Sequence, residues 1–261
     1  MIVVKYGGNA MSDENGGFAS AIKAASSAGT KIVIVHGGGP QINEALAKAG
    51  LTSQWVAGLR VTPQESFDIV EKVLVNEVGP GLVRSLENAG VRAASLSART
   101  LPTVFAEKMQ VLLDGKLIDV GLVGKVIDVD PAQILEMLSK GVVPVVAPIS
   151  SSKDRITGLN VNADSVAAAI ACSVNASALI IMTDVSGIYR NWPDESSLIH
   201  TISAQELECI KDSFNDGMSP KVQATLDALA LGVKAVRIID GTKPETFAKA
   251  LAGQGGTLVS A

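Results

Sequence analysis

Thiol and imidazole groups are scarce in this 261-residue chain, which has two cysteines and two histidines. Cys172 and Cys209 lie far apart, with only His36 and His200 as possible companions. That set is too small for a metal cage or a disulfide framework, so both thiols are expected in the core and no metal site of protein ligands is expected. No apolar run reaches the roughly 18 residues that a membrane helix needs, and the N-terminus lacks the basic-then-apolar pattern of a secretory signal. A cytoplasmic location is the expectation. Charge of neither sign dominates: 22 basic and 26 acidic residues give a net charge of −4 without long single-sign runs. Neither nucleic acid nor an anionic membrane is therefore an expected partner. The nucleotide fingerprints G-x-x-x-x-G-K-[ST] and G-x-G-x-x-G are also missing, which sets aside a P-loop enzyme and a dinucleotide oxidoreductase.

What is present is apolar sequence in short pieces. Hydrophobic residues make up 47% of the chain and charged residues 18%, enough for a large core. The runs IVVKY (2–6), KIVIV (31–35), VVPVVA (142–147), ALIIM (178–182) and KAVRII (234–239) read as buried strands, each followed by a helical stretch. Continuous apolar strands alternating with helices define a mostly parallel sheet covered on both faces. The expected fold is therefore α/β, a three-layer αβα sandwich around a mostly parallel open sheet. Helices are predicted at 17–28, 40–49, 64–78, 80–89, 131–139, 163–173, 203–211, 217–231 and 244–251. Between 103 and 127 the pattern changes to short strands with Asp114-Gly115 as a hairpin turn, an antiparallel insertion. No linker or internal repeat divides the chain; the boundary between an N-lobe (1–172) and a C-lobe (173–261) is soft.

Polar residues interrupt this pattern at strand ends, which is where ligands bind in an open α/β sheet. VVKYGGNAM (3–11) and VIVHGGGPQIN (33–43) place two glycine bends on neighbouring strands, and the first carries Lys5 at the end of an otherwise apolar strand. Each bend alone could be a tight turn; together with Lys5 they point to an anion site. In GLRVT (58–62), Thr62 stands three residues before Glu65, the capping-box spacing. Arg60 offers a planar fork suited to a carboxylate, although arginine is mostly a solvated surface residue. In GLNVNADSVAAAIA (158–171), Asn160, Asn162 and Asp164 alternate before an alanine-rich helix, so one can cap the helix and the others face a polar ligand. Asp184 follows the apolar run ALIIM, and Lys221 lies in the first turn of a helix, against the macrodipole.

In this order and spacing, KYGGNAM, VHGGGPQIN, GLRVT, GLVGKV, NVNAD, TDVSGIY and GMSPKV resemble the amino-acid kinase family, and the resemblance runs from Met1 to Val259. It implies the carbamate kinase-like fold and transfer of the γ-phosphoryl group of ATP to the side-chain carboxylate of N-acetyl-L-glutamate, in arginine biosynthesis. Such a carboxylate, with a pKa of about 4.3, is already ionised and needs no general base, which fits the scarcity of histidine. Carried over by motif, Lys5 and Lys221 would flank the transferring phosphoryl and Asp164 would hold both lysines. Gly7 and Gly8 would offer amides to the ATP phosphates, and Asp184 would lie in the nucleotide half. Gly38 and Gly39 would face the reacting carboxylate, Arg60 would clamp the α-carboxylate, and Asn160 would help hold the acetylamino acid. Magnesium would be held mainly by ATP phosphates and water.

The chain departs from the family's pattern in places. SLSARTLPTVF (95–105) replaces a glycine-rich LSG loop near the substrate side, and Ala57 stands where an aspartate commonly precedes GLRVT. These departures keep open a kinase for a carrier-protein-bound aminoadipate or glutamate, with Lys108, Lys116 and Lys125 as candidate carrier contacts. A non-catalytic amino-acid sensor on the same fold is the remote alternative. Arginine-inhibited members have an extra N-terminal helix, whereas Met1 here begins almost on the first strand; a homodimer without arginine feedback is the expectation.

Overall fold

The computed structural model describes residues 1–7, 16–113, 115–214 and 217–261. In chain order the strands are β1 (Ile2–Tyr6), β2 (Ile32–His36), β3 (Trp55–Val56), β4 (Leu59–Arg60), β5 (Ala93–Leu96), β6 (Val104–Leu113), β7 (Lys116–Val129) and β8 (Val143–Val146). They continue as β9 (Ile149–Ser151), β10 (Gly158–Val161), β11 (Ala178–Thr183), β12 (Ile188–Tyr189), β13 (Leu198–Ile199), β14 (Thr201–Ser203), β15 (Ala235–Asp240) and β16 (Thr257–Ser260). The helices are α1 (Gly17–Ser27), α2 (Gly39–Lys48), α3 (Gln64–Lys72), α4 (Gly79–Asn88), α5 (Ala132–Ser139), α6 (Ala163–Ser173), α7 (Ala204–Ile210), α8 (Ser219–Ala230) and α9 (Pro244–Leu251).

Eight strands form one sheet in the order β14-β16-β15-β11-β1-β2-β8-β5. Its pairings are parallel except that of β15 with β16. β1 and β2 are buried at every residue, and strand alternation sends their side chains to two cores. Val3, Val33 and Val35 pack with α5, α6, α7 and α8 residues such as Ile134, Val166, Leu207 and Val222. Ile2, Val4, Ile32 and Ile34 pack on the other side with Phe18, Leu86 and Phe247 from α1, α4 and α9. The sandwich thus has its three layers because the strands are apolar on both faces.

A smaller β-unit sits beside this sheet. β6 and β7 pair as the antiparallel hairpin expected between 103 and 127 and extend it to Val129. They close a four-stranded barrel with β9 and β10, in which β10 runs parallel to β7. Leu113 pairs with Lys116 across the turn, where Gly115 adopts φ +74°; Asp114 lies outside the described residues. A third cluster, including Ile42, Phe67, Val70, Leu74 and Ile149, packs α2 and α3 against this unit.

Three local expectations are corrected. The helices predicted at 64–78 and 80–89 are α3 and α4 joined through a π-helical turn, Val73–Val78; the turn leads directly to Pro80, which has no N–H to return to the preceding turn. Thr62 does not cap α3, whose N-cap is Pro63 without a side-chain cap bond. The Thr62 backbone instead bonds β7: its N–H donates to the Val120 carbonyl at 2.8 Å and its carbonyl accepts from Leu122 at 2.6 Å. Cys209 is exposed and Cys172 half-buried, the latter with its Sγ 2.9 Å from the Leu231 carbonyl.

Candidate active site

The carboxyl ends of β1 and β2, the centre of the sheet, open onto the N-termini of α2, α6 and α8. At the start of α6, Asn162 is the cap: its side-chain oxygen accepts from the Asp164 and Ser165 amides at 2.8 and 3.3 Å. With the cap supplied by Asn162, Asp164 in the first turn is left to reach other groups. Asp164 is 3% exposed. Its Oδ1 lies 3.0 Å from Lys5 Nζ, and Oδ2 lies 3.9 Å from Lys221 Nζ. A buried carboxylate at a helix N-terminus is favoured by the macrodipole, and here it also separates two ammonium groups that would otherwise repel. Burial lowers the pKa of Lys221, Asp164 opposes that shift, and nearby Lys5 adds to it.

Arg60 arrives on the β3–β4 hairpin. Ala57 and Gly58, at φ +48° and +74°, make a two-residue turn with positive φ at both centres, the geometry that matches strand twist in a tight hairpin. Trp55 therefore stands directly opposite Arg60, whose guanidinium carbon is 4.5 Å from the indole ring centroid. Nη1 donates to Ser53 Oγ, which in turn donates to Asn43 Oδ1 of α2 at 3.3 Å. Arg60 is 7% exposed, not a solvated surface residue, and burial lowers its pKa. Among the described residues it has no carboxylate partner within 4.0 Å. Thr62 Oγ1 donates to the Arg60 carbonyl at 2.7 Å, and Asn160 Nδ2 donates to Thr62 Oγ1 at 3.2 Å.

These groups line one cavity of about 310 Å³, which brings together Lys5, Gly38, Gly39, Arg60, Asn160, Asp164 and Lys221. Three cations face one carboxylate there, so the cavity favours an anion. Gly38 caps α2 without a side chain, and Pro40 occupies its first turn; the leading amides of such a helix have no intrahelical partner and suit anionic oxygens. A Cβ at Gly38 would lie 2.6 Å from Leu74 Cδ2, whereas one at Gly39 would meet nothing within 4 Å. Gly7 sits behind Lys5, and a Cβ there would stand 3.2 Å from Lys5 Nζ. Gly8 lies outside the described residues. Asp184 is not in this cavity. It lines an adjacent hollow of about 620 Å³ with Tyr189, Trp192, Phe214 and Met218, and Thr183 Oγ1 donates to its Oδ1 at 3.1 Å.

The residues at the departures lie elsewhere. Ser97 and Thr100 line a separate hollow of about 190 Å³ beside His36, divided from the cationic cavity by Leu74, which lines both. Arg99 is tied to Glu71 of α3 at 3.0 Å, and Ala57 forms the hairpin turn. Sequence reasoning missed Ser53 and Trp55, which touch Arg60 only because the hairpin folds back. No motif spacing marks them.

A mostly parallel sheet that gathers glycine amides and opposed ammonium groups around one anion-sized cavity is the arrangement of an α/β phosphotransferase. The chain belongs to the amino acid kinase family, whose model matches residues 1–240. It is 42% identical over 242 residues to a protein of Streptomyces coelicolor named acetylglutamate kinase, covering 92% of this chain and 79% of that one. A Corynebacterium glutamicum protein of the same name is 40% identical over 258 residues, 98% of this chain and 87% of the other. Among solved structures, smu.665 from Streptococcus mutans superposes with a TM-score of 0.84 at 31% identity, covering 100% of this chain and 98% of that one.

Proposed function

We propose that the chain transfers the γ-phosphoryl group of ATP to the side-chain carboxylate of N-acetyl-L-glutamate, giving N-acetyl-L-glutamyl 5-phosphate and ADP in arginine biosynthesis. The observation that carries this reading is the Lys5–Asp164–Lys221 array in one cavity with Arg60, which has no carboxylate partner among the described residues. Relatives at about 40% identity that are named for this activity support it.

An ionised carboxylate attacks phosphorus directly, so the chemistry asks for alignment and positive charge rather than a base. In this reading Lys5 and Lys221 bear on the transferring oxygens from two sides, and Asp164 keeps the ammonium groups apart and aimed. Arg60 takes the α-carboxylate, Asn160 the acetylamino group, and the Gly38 and Gly39 amides the reacting carboxylate. The nucleotide fits the larger hollow at Asp184, whose aromatic side chains suit a base, with its phosphates towards Gly7, Gly8 and Lys221. This division assigns the acyl amino acid to an N-lobe, 1–172, and ATP to a C-lobe, 173–261.

Both Asp164 oxygens face lysines, and no group of three His, Cys, Asp or Glu residues among the described residues could hold a metal ion. Magnesium would enter with ATP, bound by phosphate oxygens and water. No helix among the described residues is long and apolar enough to cross a membrane. The reading includes a cytoplasmic homodimer, and light scattering at micromolar concentration tests its size. An ADP-release assay with N-acetylglutamate, glutamate, acetylaminoadipate and aspartate tests the acceptor. Turnover with N-acetylglutamate is expected; turnover only with a non-acetylated or carrier-bound acceptor would overturn the reading.

A further inference from the structure

Arg60 poses a problem of its own. A guanidinium that is 7% exposed and has no carboxylate within 4.0 Å among the described residues needs other groups to hold it before an anion arrives; uncompensated burial of a charge is costly. Among the described residues, Ser53 and Trp55 make polar and cation–π contacts with it. Ser53 Oγ accepts from Nη1, and the guanidinium carbon lies over the Trp55 ring, 4.5 Å from its centroid. Trp55 is 56% exposed although it is a large aromatic residue that also lines the cavity. Core packing therefore does not account for its position.

We propose that Trp55 is a positioning residue: its indole face and Ser53 hold the Arg60 fork in the orientation that receives the acceptor's α-carboxylate. A flexible arginine would have to be ordered at each binding event, and that cost falls on acceptor affinity. The cross-strand pairing of Trp55 with Arg60 sets the register of this support. Asn43 anchors Ser53 to α2, the helix whose N-terminus faces the same cavity. The Arg60 clamp and the glycine amides are thereby fixed to one frame.

The inference rests on the acceptor reading above, and the experiment separates the two. Trp55→Ala, Trp55→Phe and Ser53→Ala are compared with wild type in the ADP-release assay. Loss of a cation–π support predicts roughly a ten-fold rise in the N-acetylglutamate KM for Trp55→Ala, with kcat and the ATP KM within about two-fold. Trp55→Phe, which keeps an aromatic face, recovers most of the loss, and Ser53→Ala moves the same KM in the same direction. The Arg60 Nε–H resonance in 15N spectra adds a readout independent of turnover: ring current shifts it in wild type, and Trp55→Ala abolishes that shift. An unchanged acceptor KM in Trp55→Ala, or an Arg60 resonance indifferent to the substitution, overturns the inference. Absence of wild-type turnover with N-acetylglutamate instead defeats the acceptor reading; the resonance test then decides the support, and the KM comparison moves to the acceptor that is used.

Discussion

Asp164 shows how one side chain can serve two others. Its carboxylate lies between Lys5 and Lys221; in the proposed roles, removing either lysine takes charge from the transferring phosphoryl, where it acts most strongly in the transition state. Lys5→Ala and Lys221→Ala are each expected to lower kcat by roughly 100-fold or more, with little change in either KM. If Arg60 clamps the ground-state carboxylate as proposed, Arg60→Ala should raise the acceptor KM at nearly constant kcat. Steady-state kinetics with both substrates varied checks the split, and the reverse pattern means that the roles are misassigned. Lys5 and Lys221 were legible in the sequence because a charged residue ending a buried strand, or opposing a helix dipole, stands out from its surroundings; Arg60 was legible only as a fork suited to a carboxylate, and its burial was not. Trp55 and Ser53 were not legible, since a tryptophan two residues after a serine has no meaning until a hairpin lays both against Arg60.

His36 carries a second prediction at this scale. The ring is fully buried, and its Nδ1 is 2.8 Å from the Gly37 carbonyl. Burial, partly opposed by that bond, lowers its pKa to about 4. Because the folded value lies below the unfolded one, near 6.5, the unfolded chain binds more protons between the two. Stability is therefore lost as pH falls from about 6.5 to about 4, by roughly 2 kcal/mol between about pH 7 and about pH 5. Urea midpoints at those two pH values should differ more for wild type than for His36→Gln. Equal differences would show that another group is responsible.

At the scale of elements, helices and central strands were readable because their burial is two-sided or periodic, and α6 matches its predicted bounds, 163–173. β5 was not readable: Ala-Ala-Ser-Leu lacks β-branched residues, and its strand conformation comes from pairing with β8. Nor was the crossing of β7 over Thr62, which a single glycine permits. Gly121 has φ +79°, and a Cβ there would collide with the Thr62 carbonyl. Gly121→Ala combines backbone strain with a clash against fixed backbone and should cost about 2 kcal/mol or more. Because Thr62 supports both the Arg60 carbonyl and Asn160, the variant should also raise the acceptor KM. Gly39→Ala, at a helix start with open space, is the control for adding a methyl group. Thermal unfolding of both variants decides the matter; equal stabilities would mean that the Thr62 crossing yields without cost.

For the whole molecule, the question is how two anionic substrates share one sheet edge. β1 lies at the centre, with β2, β8 and β5 on one side and β11, β15, β16 and β14 on the other. The cationic cavity uses the glycine bend after β2 together with the β3–β4 hairpin. The larger hollow uses the end of β11 and the approach to α8. A Cβ at Gly58 in the hairpin turn would lie 3.6 Å from Pro220, the neighbour of Lys221, so the hairpin that carries Arg60 reaches the start of the helix that carries Lys221. If the two halves bind separate substrates, each ligand alone should leave its own footprint in amide exchange. N-acetylglutamate should protect 37–42 and 53–62, and ADP should protect 183–192 and 217–222. Both together should protect the hairpin turn more than N-acetylglutamate alone, because Gly58, beside Pro220, then lies between two filled sites. Protection of 183–192 by N-acetylglutamate alone would reverse the assignment of the halves, and a hairpin indifferent to ADP would mean that they bind without coupling.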